Sequence, residues 1–528
     1  MKKVLLIVID ALAANVVQPA VEAGKLPNVA RLIERGRIAW ECTSIFPSIT
    51  PAATASIATG CYPREHGVSG AYFYDRDEDR VHYYGDDFWV LMTEGMGRFF
   101  EDFLVELNLR RLSAPTIYEH VERAGLSAGC LNFMIFRGET RHDVHVPLSL
   151  KILPGVPFSE QIFGPETLLL GDFAADAPLL TEGKLHIKGG MFHRFGFNDD
   201  NTGGLLVQMA EHKALPDLTV AYFPDNDFKS HKMGPEDAEP ALENFDRHMG
   251  KLADVFGGVD ALLEQFAIVI TGDHSQSDTY RDDQDAAIDL DQVLESFEIV
   301  DAGEEWSSDD ELMVCPNLRV AQIYLRRNYW TRRGEVIEAL LRDERVDQVI
   351  WQGDQSEKAA QRYHVATRDR GKLEFWPGDD GPQSAADVYG MPWIWSGDLR
   401  SVDGRMSPAG VIEFADYPNA FERIATSFDP QVSGDLWVTA RLGYEFEVPR
   451  TSINSDGGSH ASLAKLDSTT VLLVAGGPEE LQLPTHARTV DVLPVCLALL
   501  GLPVARQAGA SHVGEGTGDE RRGIRDEG

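Results

Sequence analysis

Long apolar runs are missing from this 528-residue chain, and that absence sets the first limit on what it can be. A helix that crosses a bilayer needs about 20 apolar residues in succession. The run at the start, Val4 to Ile9, is closed by Asp10. It is shorter than the apolar region of a secretory signal, so Met1-Lys2-Lys3 and the residues after it do not read as a leader. A cytoplasmic protein with no membrane partner is expected. Basic charge is also scarce: 48 Lys and Arg stand against 84 Asp and Glu, a formal net charge of -36. A field of that sign repels phosphate backbones, and with no local basic patch it excludes duplex nucleic acid as a partner. Cysteines are few, odd in number and dispersed (Cys42, Cys61, Cys130, Cys315, Cys496), which reads as reduced core residues and not as a disulfide framework. The chain has no internal repeat.

What is present is an ordinary globular composition, 43% hydrophobic and 25% charged. Apolar runs at 4–9, 127–131, 218–223, 267–271 and 470–475 alternate with helical patterns at 27–35, 115–124, 239–264 and 488–500. This alternation predicts an α/β fold, a three-layer αβα sandwich with a mostly parallel central sheet. Residues 1–280 and 426–505 are assigned to that core, the sheet resuming near Gly434 to Ala440. Residues 72–112 and 136–205 break the alternation and are expected to be cap excursions over an active-site mouth. The stretch 281–425 has strands of its own (Leu318 to Leu325, Val346 to Trp351) and a helix near Gly334 to Arg342, so it is expected to form an inserted smaller α+β subdomain. Residues 506–528, rich in Gly, Arg, Glu and Asp, are expected to be a disordered tail.

Chemistry-bearing residues fall at the ends of the apolar runs. Asp10 follows Val4 to Ile9, Asp227 and His231 follow Leu218 to Phe223, and Asp273-His274 follow Ala267 to Ile270. In open α/β sheets ligands bind at the carboxyl ends of the strands. A carboxylate buried there needs a compensating charge, which a divalent cation commonly supplies. An adjacent Asp-His pair offers an anionic oxygen and an imidazole nitrogen, and residues i and i+4, here Asp227 and His231, share one side of a helical turn. His460 sits in the small-residue loop Ser455-Asp456-Gly457-Gly458-Ser459. Singly, each of these is more often structural; jointly they point to a site for divalent metal. Thr50, before Pro51 and a run of small residues, is placed to cap a helix and to face an anion at that helix's positive end.

Val8-Ile9-Asp10, Pro47-Ser48-Ile49-Thr50, Gly60-Cys61-Tyr62-Pro63-Arg64-Glu65-His66-Gly67, Asp227 to His231 with Gly234-Pro235, Gly272-Asp273-His274 and Gly458-Ser459-His460 occur in this order. The ordered set resembles the alkaline phosphatase superfamily, and most of all its nucleotide pyrophosphatase/phosphodiesterase branch. The resemblance implies an alkaline phosphatase-like sandwich and two divalent metals, zinc first and manganese second. It implies that Asp10, Thr50, Asp273 and His274 surround one metal and Asp227, His231 and His460 the other. Thr50 would be the nucleophile, forming a phosphothreonine intermediate on a small-molecule phosphate ester.

The diesterase branch usually has an asparagine where this chain has Ala71, and Asn132 or Arg137 is the candidate to supply the missing contact to phosphate. A phosphomonoesterase and a phosphonoacetate hydrolase-like enzyme are therefore alternatives. A sulfatase would need a cysteine in Cys-x-Pro-x-Arg, but in Cys61-Tyr62-Pro63-Arg64 the arginine falls one position early. A non-catalytic metal- or phosphate-binding protein would have lost Thr50 or a ligand, and none of the seven positions is lost.

Overall fold

Residues Val4 to Ile9 have no polar side chain, and such a segment is at home in a sheet covered on both faces. The computed structural model, which describes residues 2–84, 102–145, 161–301, 304–353, 362–449 and 451–503, places Lys3–Ile9 at the centre of one. Both neighbours, Leu218–Phe223 and Phe266–Thr271, run parallel to it. Alternate side chains point to opposite faces of a strand. Accordingly Val4, Leu6 and Val8 enter one apolar core, and Leu5, Ile7 and Ile9 enter the other. Helices Thr50–Thr59, Ile117–Arg123 and Val492–Leu499 cover the first core, and Ala14–Glu22, Pro27–Glu34 and Glu239–Phe256 the second. The fold is the three-layer α/β sandwich read from the sequence.

The sheet has nine strands, ordered Ala487–Arg488, Gly36–Thr43, Thr469–Ala475, Phe266–Thr271, Lys3–Ile9, Leu218–Phe223, Ala128–Leu131, Thr167–Leu170 and Ala174–Asp176. From Phe266–Thr271 to Thr167–Leu170 the strands are parallel. Thr469–Ala475 opposes both its neighbours, and Ala174–Asp176 opposes its single one, so the sheet is mixed around a parallel centre.

Three expectations change. Part of the supposed excursion 136–205 extends the central sheet, because Thr167–Leu170 pairs with Ala128–Leu131; four residues are too few for a period to show. The strand Leu436–Ala440 does not resume the central sheet. It lies between Val320–Leu325 and Val346–Gln352 in a second, antiparallel sheet of eight strands. A fully buried strand carries the same pattern in either sheet, and pairing partners are chosen only by packing. The pattern over 239–264 breaks at Gly257 and Gly258, whose φ of 92° and 123° end one helix and begin another, Val259–Gln265. Residues 506–528 and the middles of both excursions, 85–101 and 146–160, lie outside the described residues. No described helix is long and apolar enough to cross a membrane, and all five cysteines are free and buried.

Parallel register sets Ile9 opposite Phe223 and Val8 opposite Thr271, so three strands end level on one edge. A buried carboxylate helps to aim the helix beyond Leu218–Phe223. Asp199 accepts the N–H of Asp225 at 3.0 Å, at the start of the helix Asp225–Met233. Burial pushes the Asp199 carboxyl up to about 8. The folded protein thus keeps a proton that the unfolded chain releases near pH ~4, and the associated stability is lost as pH rises from there through about 8. In Asp199→Asn, which is always neutral, the fall in urea-unfolding free energy between about pH 5 and about pH 8.5 should shrink by at least about 1 kcal/mol. An equal fall in both proteins would refute the assignment.

Candidate active site

Each of the three central strands delivers one carboxylate to the common edge. Asp10 follows Ile9, Asp227 lies in the first turn of Asp225–Met233, and Asp273 comes two residues after Thr271. Asp10 Oδ2 accepts from the Tyr222 hydroxyl, and Asp273 Oδ1 accepts the N–H groups of Ala11 and His274 at 3.2 and 3.0 Å. Asp227 Oδ1 accepts from Gln276. The remaining oxygens, Asp10 Oδ1 and Asp273 Oδ2, are buried without a hydrogen-bond partner among the described residues.

Three imidazoles meet these carboxylates with their lone pairs. His274 Nδ1 donates to Ser275 O at 3.1 Å, His231 Nδ1 to Gly458 O at 2.9 Å and His460 Nδ1 to Ser48 O at 2.8 Å. A carbonyl only accepts, so the proton is fixed on Nδ1 and Nε2 turns to the cavity. His274 Nε2 lies 3.4 Å from Asp10 Oδ1 and 3.6 Å from Asp273 Oδ2. His231 and His460 Nε2 lie 3.4 and 3.8 Å from Asp227 Oδ1. The rings of His274 and His460 stack 3.8 Å apart, an arrangement that disfavours charging both. Burial first, then His274 and His231, holds His460 well below the usual imidazole range. Burial, followed by the charges of Asp227 and Asp273, holds the Asp10 carboxyl well above its usual range, and burial raises Asp273 too.

Lone pairs facing lone pairs at these distances fit a cation between them. The donor atoms of Asp10, Asp273 and His274 lie within 4.8 Å of one another, as do those of Asp227, His274 and His460. Oxygen and imidazole donors without thiolate suit a divalent ion such as zinc or manganese.

Thr50 stands between the two groups. It is the first residue of the helix Thr50–Thr59, and its Oγ1 lies 3.1 Å from His274 Nε2. The expected capping role is corrected: Ile49 holds the cap position without a side-chain bond, and the threonine hydroxyl is engaged by His274. A second layer braces the loops that carry the imidazoles. The Asp467 carboxylate accepts Ser277 Oγ at 2.7 Å and Ser462 Oγ at 2.5 Å, while its carbonyl accepts Ser275 N–H at 3.1 Å. Arg319, from a hairpin of the second sheet, donates through Nη2 to Ser277 O and Asp278 O, both at 2.8 Å, and its N–H reaches His460 O at 3.2 Å.

The site opens into a cavity of about 660 Å³ whose lining includes Tyr72, Tyr84, Phe103, Phe197 and Phe228. Ala71 lines it as well, and the asparagine beside it, Asn317, is turned to the backbone N–H groups of Ala71 and Tyr72 at 2.8 and 2.9 Å. Neither substitute expected from the sequence is free to contact phosphate. Asn132 reaches the cavity, but its amide donates to Gly196 O and Thr202 Oγ1 and accepts from Gly171 N–H, binding loops together. Arg137 is absent from the lining and is spent on Leu112 O, Ala114 O and Glu119. Among the described residues, the Lys and Arg side chains that reach the cavity are Lys232 and Arg194. Lys232, adjacent to His231, was legible as a neighbour of the motif; Arg194, in an aperiodic glycine-rich stretch, carried no signal. Tyr222 and Gln276 were missed for a related reason, since only folding brings them to Asp10 and Asp227.

Comparison with known proteins adds to this geometry. Residues 4–461 match the family described as type I phosphodiesterase / nucleotide pyrophosphatase. Among solved structures, murine ectonucleotide pyrophosphatase / phosphodiesterase 5 is 14% identical, with 96% of this chain and 98% of that one aligned and a TM-score of 0.55. An inactive form of the same murine protein in complex with AMP gives 13%, 97%, 98% and 0.55. Phosphonoacetate hydrolase from Sinorhizobium meliloti 1021, in complex with phosphonoformate, is 16% identical, with 94% and 96% aligned and a TM-score of 0.54. At such identities the structural likeness establishes the fold, whereas the family match spans most of the sequence. The chain belongs to the type I phosphodiesterase / nucleotide pyrophosphatase family.

Proposed function

We propose that this protein is a phosphoric ester hydrolase, a phosphodiesterase or nucleotide pyrophosphatase, with Thr50 as its nucleophile. The observation that carries the reading is the convergence of three carboxylates and three imidazoles around Thr50 at the mouth of a cavity. Asp10, Thr50, Asp273 and His274 would hold one divalent cation, and Asp227, His231 and His460 a second, with zinc first and manganese as the alternative. Bound, the pair would stabilise charge on the phosphoryl oxygens and acidify hydroxyl groups.

The chain's own residues supply the rest. Thr50 Oγ1 lies 3.1 Å from His274 Nε2, so both atoms would face the same cation, and the Thr50 oxygen is the group that attacks phosphorus. Attack forms the bond from the Thr50 oxygen to phosphorus and breaks the bond to the ester oxygen, which leaves as the alcohol with the proton given up by Thr50; water then cleaves the P–O bond to Thr50, one of its protons restoring the hydroxyl and its oxygen staying on phosphorus. The helix beginning at Thr50 directs its positive end at the phosphoryl group. Aromatic side chains in the cavity suit a flat apolar substituent, and the AMP held by the murine neighbour supports a nucleotide as the substrate class. Phosphonate hydrolysis is the second reading, favoured by the likeness to the Sinorhizobium enzyme. Five free, buried cysteines fit a reducing compartment such as the cytoplasm.

Thr50→Ala should keep its metal and lose at least about a thousandfold in turnover of bis(p-nitrophenyl) phosphate. Turnover at the wild-type rate would remove Thr50 from the mechanism. In His460→Ala, metal analysis should find one ion per chain where the wild type holds two; unchanged stoichiometry would end that assignment. Rates on the diester, p-nitrophenyl phosphate and phosphonoacetate with one metal-loaded preparation rank the substrate classes, and a preference for phosphonoacetate would replace the first reading by the second.

A further inference from the structure

Two cations reach the cavity beside Asp227 and His231, in a chain whose formal net charge is -36. Lys232 places Nζ 3.8 Å from the centroid of the Phe228 ring, and Arg194 places its guanidinium carbon 4.5 Å from the same centroid. Like charges gathered at one ring repel, and a cation–π contact leaves the charge in place. Asp225 pairs with Arg194 Nη2, yet Arg194 Nε and Nη1 have no hydrogen-bond partner and Lys232 no ion pair among the described residues. Arg194 also sits at φ 48° in the turn Met191–Gly196, a left-handed conformation that strains a non-glycine residue. An anion between the two side chains would use those donors and relieve the repulsion.

We propose that Arg194 and Lys232 form a specificity subsite for a second anionic group of the substrate, above all the neighbouring phosphoryl of a pyrophosphate bond. This rests on the hydrolase reading of the same cavity. The position suits the role: Phe228 and Lys232 adjoin Asp227 and His231 in sequence, and the Arg194 charge acts on both Asp10 and Asp227, so the cations lie beside the carboxylates of the site. In a protein this acidic, local cations are also what would draw a highly charged nucleotide into the cavity.

The test compares kcat/KM for ATP, which has adjacent anionic phosphoryl groups, with kcat/KM for bis(p-nitrophenyl) phosphate, whose substituents are neutral. Wild type, Arg194→Gln, Arg194→Lys and Lys232→Gln are assayed, each with its bound metal measured. The ratio of ATP to diester should fall at least about tenfold in either glutamine variant, as expected for one charge-assisted hydrogen bond, and recover in part in Arg194→Lys. Lys232 is exposed, so Lys232→Gln decides the matter even if Arg194→Gln misfolds. An unchanged or increased ratio in the glutamine variants overturns the subsite and leaves the hydrolase reading standing, as does a wild type that cleaves the diester but not ATP. Failure of metal-loaded wild type to cleave either substrate overturns the hydrolase reading and the subsite with it.

Discussion

Mutual repulsion among Asp10, Asp227 and Asp273 is the constraint on which the rest of the structure turns. Asp10 and Asp273 bring donor oxygens within 4.8 Å, and both residues are buried. Two unit charges about 5 Å apart repel by about 3 kcal/mol at an effective dielectric of about 20, against about 1 kcal/mol for an ordinary hydrogen bond. The bonds from Tyr222, Ala11 and His274 therefore orient these carboxylates without neutralising them. A multivalent cation does both. The electrostatics of the donor set and the order of the family motifs thus point to the same occupant by independent routes.

The surrounding fold acts as a rigid frame for that set. Level strand ends fix the carboxylates, and three backbone carbonyls, those of Ser275, Gly458 and Ser48, fix the tautomer of the three imidazoles. The loops that carry these carbonyls are tied by Asp467 and, from outside the sandwich, by Arg319. The second sheet therefore braces the chemistry it does not perform: its hairpin arginine holds the Ser277–Asp278 segment and the backbone of His460 together.

Substrate recognition obeys a different logic. The ligand-type residues come from strand ends and short loops next to them, where position is set by the sheet. The cavity wall is drawn from Tyr72, Phe103, Arg194 and Phe228, which belong to separate segments and meet only above the sheet. Ala71 leaves one expected polar contact unfilled, and the cations lie elsewhere on the wall. Substrate choice in such a site can shift without disturbing the cluster of carboxylates and imidazoles.

Local pattern determined much of this protein. Apolar runs closed by Asp10, Asp227 and Asp273 declared a parallel α/β core and its functional edge, because burial on both faces and a charged residue at the strand end are properties of neighbours in sequence. Thr50 and the three histidines were legible for the same reason, each held in a short motif. Tertiary structure alone decided the pairing of Leu436–Ala440 with the second sheet, the diversion of Asn132 and Arg137 into structural bonds, and the arrival of Tyr222, Gln276 and Arg194 at the site. A side chain's type restricts what it can bind, but its partner depends on which distant segment packing brings within about 3 Å, and no period in the sequence encodes that.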